Sequence, residues 1–212
     1  QIRHFLFIIL VGVACAEVQN GRQAETTSGR KPKWAHEDKL GDYQNAWNTL
    51  NQSHVKYYLA YATYQDDVDG IWGKNFSCVN VETTNVKGED ESVESVMKFR
   101  NEGSPTEKSV NVSAKAVSRF NYTKTKNAIE FSQKDSNAKA AVSVLAFSDP
   151  KVCDVMSPNE GKDLELWVKE TELGNIPSCC RFLFDLFTRK GKKKHEISSK
   201  EKCITPAQSK EY

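Results

Sequence analysis

The 212-residue chain carries 30 Lys and Arg against 28 Asp and Glu, a formal net charge of +2. Without a basic stripe interleaved with aromatics, that balance argues against nucleic acid as a partner. The length suits one domain with a sizeable core.

The first residues read as an export signal. Arg3 and His4 precede an apolar run over residues 5–13, and Ala14-Cys15-Ala16 follows with the small side chains of a cleavage site. Residues 1–16 are therefore expected to be a secretory signal peptide, since the apolar run is too short to cross a bilayer. Nothing later is apolar enough to replace it, so the chain is expected to be secreted and extracellular, with no membrane partner. Residues 17–32 are polar and Gly-containing and read as a flexible leader.

From residue 33 the pattern becomes ordered. Trp34, Asp42, Tyr43, Ala46, Trp47 and Leu50 recur at three- and four-residue spacing, which predicts one or two short amphipathic helices. Strand-like runs follow at 54–64, 75–84, 92–101, 108–119, 127–133, 139–148 and 163–169. Turn-forming stretches such as Asp69-Gly70, Gly103-Ser104-Pro105 and Ser157-Pro158-Asn159 separate them. Seven or eight strands in succession, with no helix between them, predict an all-β antiparallel barrel, with a two-sheet sandwich as the competing architecture. Asn175-Ile176-Pro177-Ser178 opens a C-terminal helix whose Cys180, Leu183, Phe184 and Phe187 share one face, expected to pack outside the sheet. Residues 206–212 are a polar tail. Lys190 and Lys192 to Lys194 read as a solvated basic loop.

Cysteines and sequons agree with export. Five cysteines lie beyond the signal peptide: Cys78, Cys153, Cys179, Cys180 and Cys203. An oxidising compartment would give two bridges and one spare thiol, the spare being one of the adjacent Cys179 and Cys180. Asn51, Asn75, Asn111 and Asn121 begin Asn-x-Ser/Thr triplets, expected to be glycosylated at the surface.

The informative residue is Glu165, in Leu164-Glu165-Leu166-Trp167-Val168. Period-two alternation puts Glu165 and Trp167 on one face and three aliphatic residues on the other. A carboxylate beside an indole on an apolar strand suits an organic cation. The alternative is a surface strand with Glu165 in water. Asp67, between Tyr64 and Trp72, forms a second acid–aromatic group, or else a turn residue capping the strand end. A carboxylate accepts hydrogen bonds from an ammonium, and an aromatic face adds roughly 0.5–2 kcal/mol of cation–π attraction. Nothing indicates catalysis or a cofactor. His36, His54 and His195 are scattered, no Gly-rich phosphate loop or Gly-x-Ser-x-Gly turn occurs, and no His/Cys spacing suits a metal.

Several stretches together resemble the histamine-binding lipocalins of tick saliva, over roughly residues 31–205. They are 42–50 with Gln44, Ala46 and Trp47; Tyr57-Tyr58; Ala62-Thr63-Tyr64; Trp72-Gly73 with Phe76 and Cys78-Val79; Cys153-Asp154-Val155; Glu165-Leu166-Trp167; and Asn175-Ile176-Pro177 before Cys180. The resemblance implies an eight-stranded lipocalin barrel over residues 33–205, with short N-terminal helices and one C-terminal helix. It implies disulfides Cys78–Cys203 and Cys153–Cys180, leaving Cys179 as the odd thiol. It also implies an amine site built from Tyr64, Asp67, Glu165 and Trp167 with Trp72 nearby. Ile129, Phe131 and Ala141 stand at wall positions where the family can have aromatics; Phe131 keeps a ring and Ala141 enlarges the pocket. In a second family site the acids map to Ser113 and Ser143, with only Asp154 retained. The expected function is sequestration of histamine, or of a related amine such as serotonin, by a monomer that suppresses the host's inflammatory response. A lipocalin for an eicosanoid or sterol, or a protein-interaction module, are the alternatives.

Overall fold

The computed structural model describes residues 31–204, except residues 69, 103 and 135–139 and the side chain of Pro105. The expected signal peptide (1–16), most of the leader and the polar tail lie outside the described residues.

The ordered chain opens with α1 (Glu37–Leu40), a 3-10 turn (Gly41–Tyr43) and α2 (Ala46–Leu50). The Asn45 side chain caps α2 by accepting from the Trp47 and Asn48 backbone N–H groups at 3.0 and 3.3 Å. Strands follow: β1 (Lys56–Ala62), the short pair β2 (Asp66–Asp67) and β3 (Gly73–Lys74), β4 (Ser77–Lys87), β5 (Ser92–Asn101), β6 (Ser104–Val117), β7 (Ala128–Gln133), β8 (Ala141–Asp149), β9 (Cys153–Ser157) and β10 (Glu165–Lys169). Helix α3 (Ser178–Phe187), β11 (His195–Glu196) and α4 (Lys200–Cys203) complete the order.

Eight strands form the barrel. β4 through β10 pair antiparallel in sequence order, and β1 closes the ring between β4 and β10. On the β4 side, β1 pairs with β4 only over Lys56–Tyr58. β11 takes up the vacant edge at Tyr61 and Ala62, so no run of backbone donors is left open there.

The barrel separates two apolar clusters, and β10 divides its residues between them. Trp167 packs inside with Leu59, Phe76, Met97 and Met156. Leu164, Leu166 and Val168 point outward and pack under α3 against Leu183 and Phe184. The outward face of the helix-covered strands is therefore as dry as the interior. Cys153–Cys180 ties β9 to α3, and Cys78–Cys203 anchors the C-terminal segment across a separation of 125 residues.

Three expectations are corrected. The strand runs counted along the sequence omit β9, which is short, carries Asp154 at its second position and follows β8 after a tight turn. β6 begins at Ser104, four residues ahead of the expected 108–119 run. Cys179 is disulfide-bonded, and no cysteine among the described residues is a free thiol, which removes the odd-thiol assignment. The basic loop is solvated as expected: Lys190 and Lys192 to Lys194 are all exposed, and Lys192 meets Asp163 at 2.6 Å and Lys194 meets Asp185 at 2.9 Å at the surface.

Gln44 locks the N-terminal helices onto the barrel. Fully buried, its amide donates to the carbonyls of Trp34 and Ala146, each at 2.8 Å, and its Oε1 accepts from the Tyr122 hydroxyl at 2.5 Å. Gln44→Ala would take a partner from the Ala146 carbonyl and the Tyr122 hydroxyl in a dry site, while the Trp34 carbonyl keeps the His36 N–H at 2.9 Å. It should lower the free energy of unfolding by on the order of 3 kcal/mol, measured by urea titration, whereas a loss below about 1 kcal/mol would mean that these bonds are dispensable.

Candidate functional site: a buried carboxylate between aromatic walls

Glu165 opens β10 with its side chain inside the barrel and only 3% of its surface exposed. Each carboxylate oxygen has one donor. The Tyr64 hydroxyl donates to Oε1, and the Trp167 indole N–H donates to Oε2 at 2.8 Å. Burial pushes the Glu165 carboxyl up to about 7. The two hydrogen bonds pull it back down, and the nearby Asp67 and Asp163 raise it further. No cation is among these influences. Burial beside the same carboxylate also holds the Tyr64 hydroxyl well above its usual range, so it remains a donor.

A cavity of about 230 Å³ lies against this group, with Tyr64, Asp67, Trp72, Phe131, Glu165 and Trp167 all in its wall. The six residues singled out in the sequence thus surround one space. Tyr64 stacks on Trp72 with ring centroids 6.4 Å apart, and Trp72 meets Trp167 at 6.1 Å. The Trp72 indole N–H points at Met97 Sδ, 3.0 Å away, which fixes that ring.

Asp67 is held by its own loop. Its Oδ2 accepts from the Trp72 backbone N–H at 3.0 Å, while β2 and β3 pair around it. It is both the turn residue and the wall acid. The carboxylate folds so closely over Gly70 that a Cβ there would lie 2.1 Å from Oδ1. A Cβ at position 70 would thus be met first by the Asp67 carboxylate, a side-chain end free to shift, so Gly70→Ala displaces that carboxylate from its place on the cavity wall.

Asp154 stands elsewhere. It lines a separate space of about 60 Å³ with Thr49, Tyr57 and Ile129, while Met97, Phe131 and Trp167 border both spaces. Asp154 is 1% exposed and accepts from the Thr49 hydroxyl at 3.2 Å. Burial pushes its carboxyl up to about 7; hydrogen bonds from Ser148 and Thr49 pull the other way, Asp149 raises it and Lys169 lowers it.

The two serines mapped to a second site do not join Asp154. Ser113 alternates on β6 with Val112 and Ala114, which line the smaller space, and so points outward. There it completes the Asn111 sequon. Ser143 lines the larger cavity with Glu165. Ala141 does so too, at the end of β8. The asparagines of all four sequons are exposed. Met97, Gln133, Val142 and Pro158 also line the larger cavity and were not anticipated. For Met97 the signal was present, because Val93, Ser95, Met97 and Phe99 alternate inward along β5.

No group of His, Cys, Asp and Glu among the described residues could hold a metal ion. No helix among them is long and apolar enough to cross a membrane.

A closed eight-stranded antiparallel barrel with a carboxylate-lined internal cavity defines a lipocalin-type binding protein for a small ligand. Residues 34–205 match the profile of the family described as tick histamine binding protein. The chain is 36% identical over 169 residues to the male-specific histamine-binding salivary protein of Rhipicephalus appendiculatus, covering 76% of this chain and 82% of that protein. It is 31% identical to female-specific histamine-binding protein 1 of the same tick, covering 71% and 77% respectively. The chain belongs to the tick histamine-binding protein family. Solved structures agree on the fold. AM182 in complex with serotonin superposes with TM-score 0.50 at 21% identity, covering 72% of this chain and 88% of that one. Japanin from R. appendiculatus, bound to cholesterol, gives 0.52 at 15%, covering 73% and 98%. Apocrustacyanin C2 gives 0.52 at 13%, covering 85% and 96%.

If the Asp67 loop geometry matters to binding, Gly70→Ala should weaken any amine bound in the larger cavity by about tenfold, the equivalent of one lost charge-assisted hydrogen bond. The unfolding midpoint should hardly move. An unchanged affinity would place the ligand away from Asp67.

Proposed function

We propose that this protein is a secreted scavenger that sequesters histamine, or a closely related biogenic amine, in the larger cavity without transforming it. The observation that carries the reading is Glu165. It is a buried carboxylate with a donor on each oxygen, a second acid on the same cavity wall and, among the described residues, no cation beside it. A buried charge without a counter-ion is costly, and a bound ammonium is the partner that such a site lacks. Tyr64, Trp72 and Trp167 offer the ring faces that favour a desolvated cation. The names of the salivary relatives support the same ligand class and export into saliva. Removing an amine from its receptors would then blunt the host's inflammatory response.

We also propose one amine per chain. The smaller space has about a quarter of the volume of the larger one, and Asp154 in it is already engaged by Thr49 and Ser148. Isothermal titration with histamine should give a stoichiometry of one. Glu165→Gln should weaken binding by at least tenfold, since it removes the charge and keeps the shape. Absence of binding to any biogenic amine, or full affinity in the Glu165→Gln protein, would overturn the reading.

Proton linkage gives a second test. The folded carboxyl of Glu165 is raised above its unfolded value of about 4.3, and that of Asp154 above about 3.9. Between about pH 4.5 and 7 the folded chain retains protons that the unfolded chain has released, so stability falls as pH rises through that window. The thermal midpoint of the ligand-free protein should drop between pH 5 and 7.5, and less so in the Glu165→Gln variant. Because an ammonium favours the ionised carboxylate, the stabilisation given by a saturating alkylamine should grow over the same range. A ligand-free midpoint that rises across it, with the variant parallel to the parent, would contradict this.

A further inference from the structure

Among the described residues, Ser143 is the one hydroxyl in the larger cavity's wall that the proposed amine site leaves unexplained. It lies on the inward face of β8, opposite Ile129 of β7, and is 4% exposed. Its Oγ is buried with no hydrogen-bond partner among the described residues. A serine hydroxyl carries one donor and two acceptor sites, and burying all three unmet is unfavourable unless something else in the cavity meets them.

Register sets how far Ser143 lies from the carboxylate. Glu165 pairs with Met156, Met156 with Leu145, and Val144 with Ser157. Ser143 is therefore two strands and two residues from Glu165, toward the end of the barrel where Pro158 sits. With strands about 4.8 Å apart and residues about 3.3 Å apart along them, the two Cα atoms are separated by roughly 11 Å. Ser143 is therefore set along the cavity wall from Glu165 rather than beside it. It faces the far end of a ligand anchored there. Ala141, near Ser143 on the same strand, contributes no bulk to the wall, so the cavity has room in that direction. A fused bicyclic ring bearing a hydroxyl extends further from its ammonium than a single five-membered ring on the same ethylamine arm, and so suits two wall groups set apart.

We infer that Ser143 is a specificity-determining residue, accepting a hydrogen bond from a hydroxyl on the distal ring of the ligand, so that the cavity prefers a ring-hydroxylated arylethylamine. This rests on the reading that Glu165 binds the ammonium end. The ligand spans the cavity with its charge between Glu165 and the Tyr64, Trp72 and Trp167 rings, and with its hydroxyl on Ser143 Oγ.

Serotonin and tryptamine differ only in that hydroxyl, so titrating both into the intact protein isolates its effect. The parent should bind serotonin about tenfold more tightly than tryptamine. Ser143→Ala should bring the ratio to about one while tryptamine affinity stays within roughly threefold. Ser143→Thr, which keeps the hydroxyl, should retain the preference and guards against a packing artefact. Equal binding of the two amines by the parent, or a preference that survives Ser143→Ala, would overturn the inference and leave the Glu165 amine site standing. Binding of histamine alone would do the same. Binding of no amine at all would overturn both.

Discussion

The structure turns on one constraint: a carboxylate placed inside an apolar barrel with no cation beside it among the described residues. Glu165 is tolerated there because Tyr64 and Trp167 each give it a hydrogen bond. Even so, burial holds its carboxyl near neutrality, at about 7. Two donors lower the desolvation penalty without cancelling it. The site is therefore poised: protonation or an incoming ammonium each relieves it, and they compete.

Much of the surrounding architecture holds that arrangement in place. Leu164, Leu166 and Val168 pack under α3, which fixes the pleat of β10 and commits Glu165 and Trp167 to the interior. A one-residue slip would send the carboxylate into the outer apolar layer and the aliphatic residues into the cavity. Cys153–Cys180 fastens that layer, and closure through β1 brings Tyr64, just beyond the end of that strand, within reach of Glu165. The β2–β3 ribbon carries Asp67 to the same wall, with its carboxylate folded over Gly70.

How much of this was legible beforehand follows from periodicity. Alternation in 164–168 identified the two faces of β10, and helical spacing at Cys180, Leu183 and Phe184 identified a helix face that packs outside the sheet; that it covers β10 comes from the structure. β9 was not legible, because five residues containing an aspartate and buried on both faces lack a clean alternation. Residue pairing between distant strands is invisible to periodicity as well. It decides that Ser143 belongs with Glu165 and that Asp154 belongs to a different space, and it turns Ser113 outward to its sequon. The disulfide state of Cys179 could not be counted from five cysteines taken alone.

The central claim is that the carboxylate of Glu165 meets the ligand's cation. Its ionisation can be observed directly by infrared difference spectroscopy at about pH 6, where a group titrating near 7 is mostly neutral. Adding histamine should convert a protonated carboxyl band into a carboxylate pair of bands, and the change should vanish in the Glu165→Gln protein. A bound amine that leaves the protonated band intact, or an equal spectral change in the variant, would contradict the account.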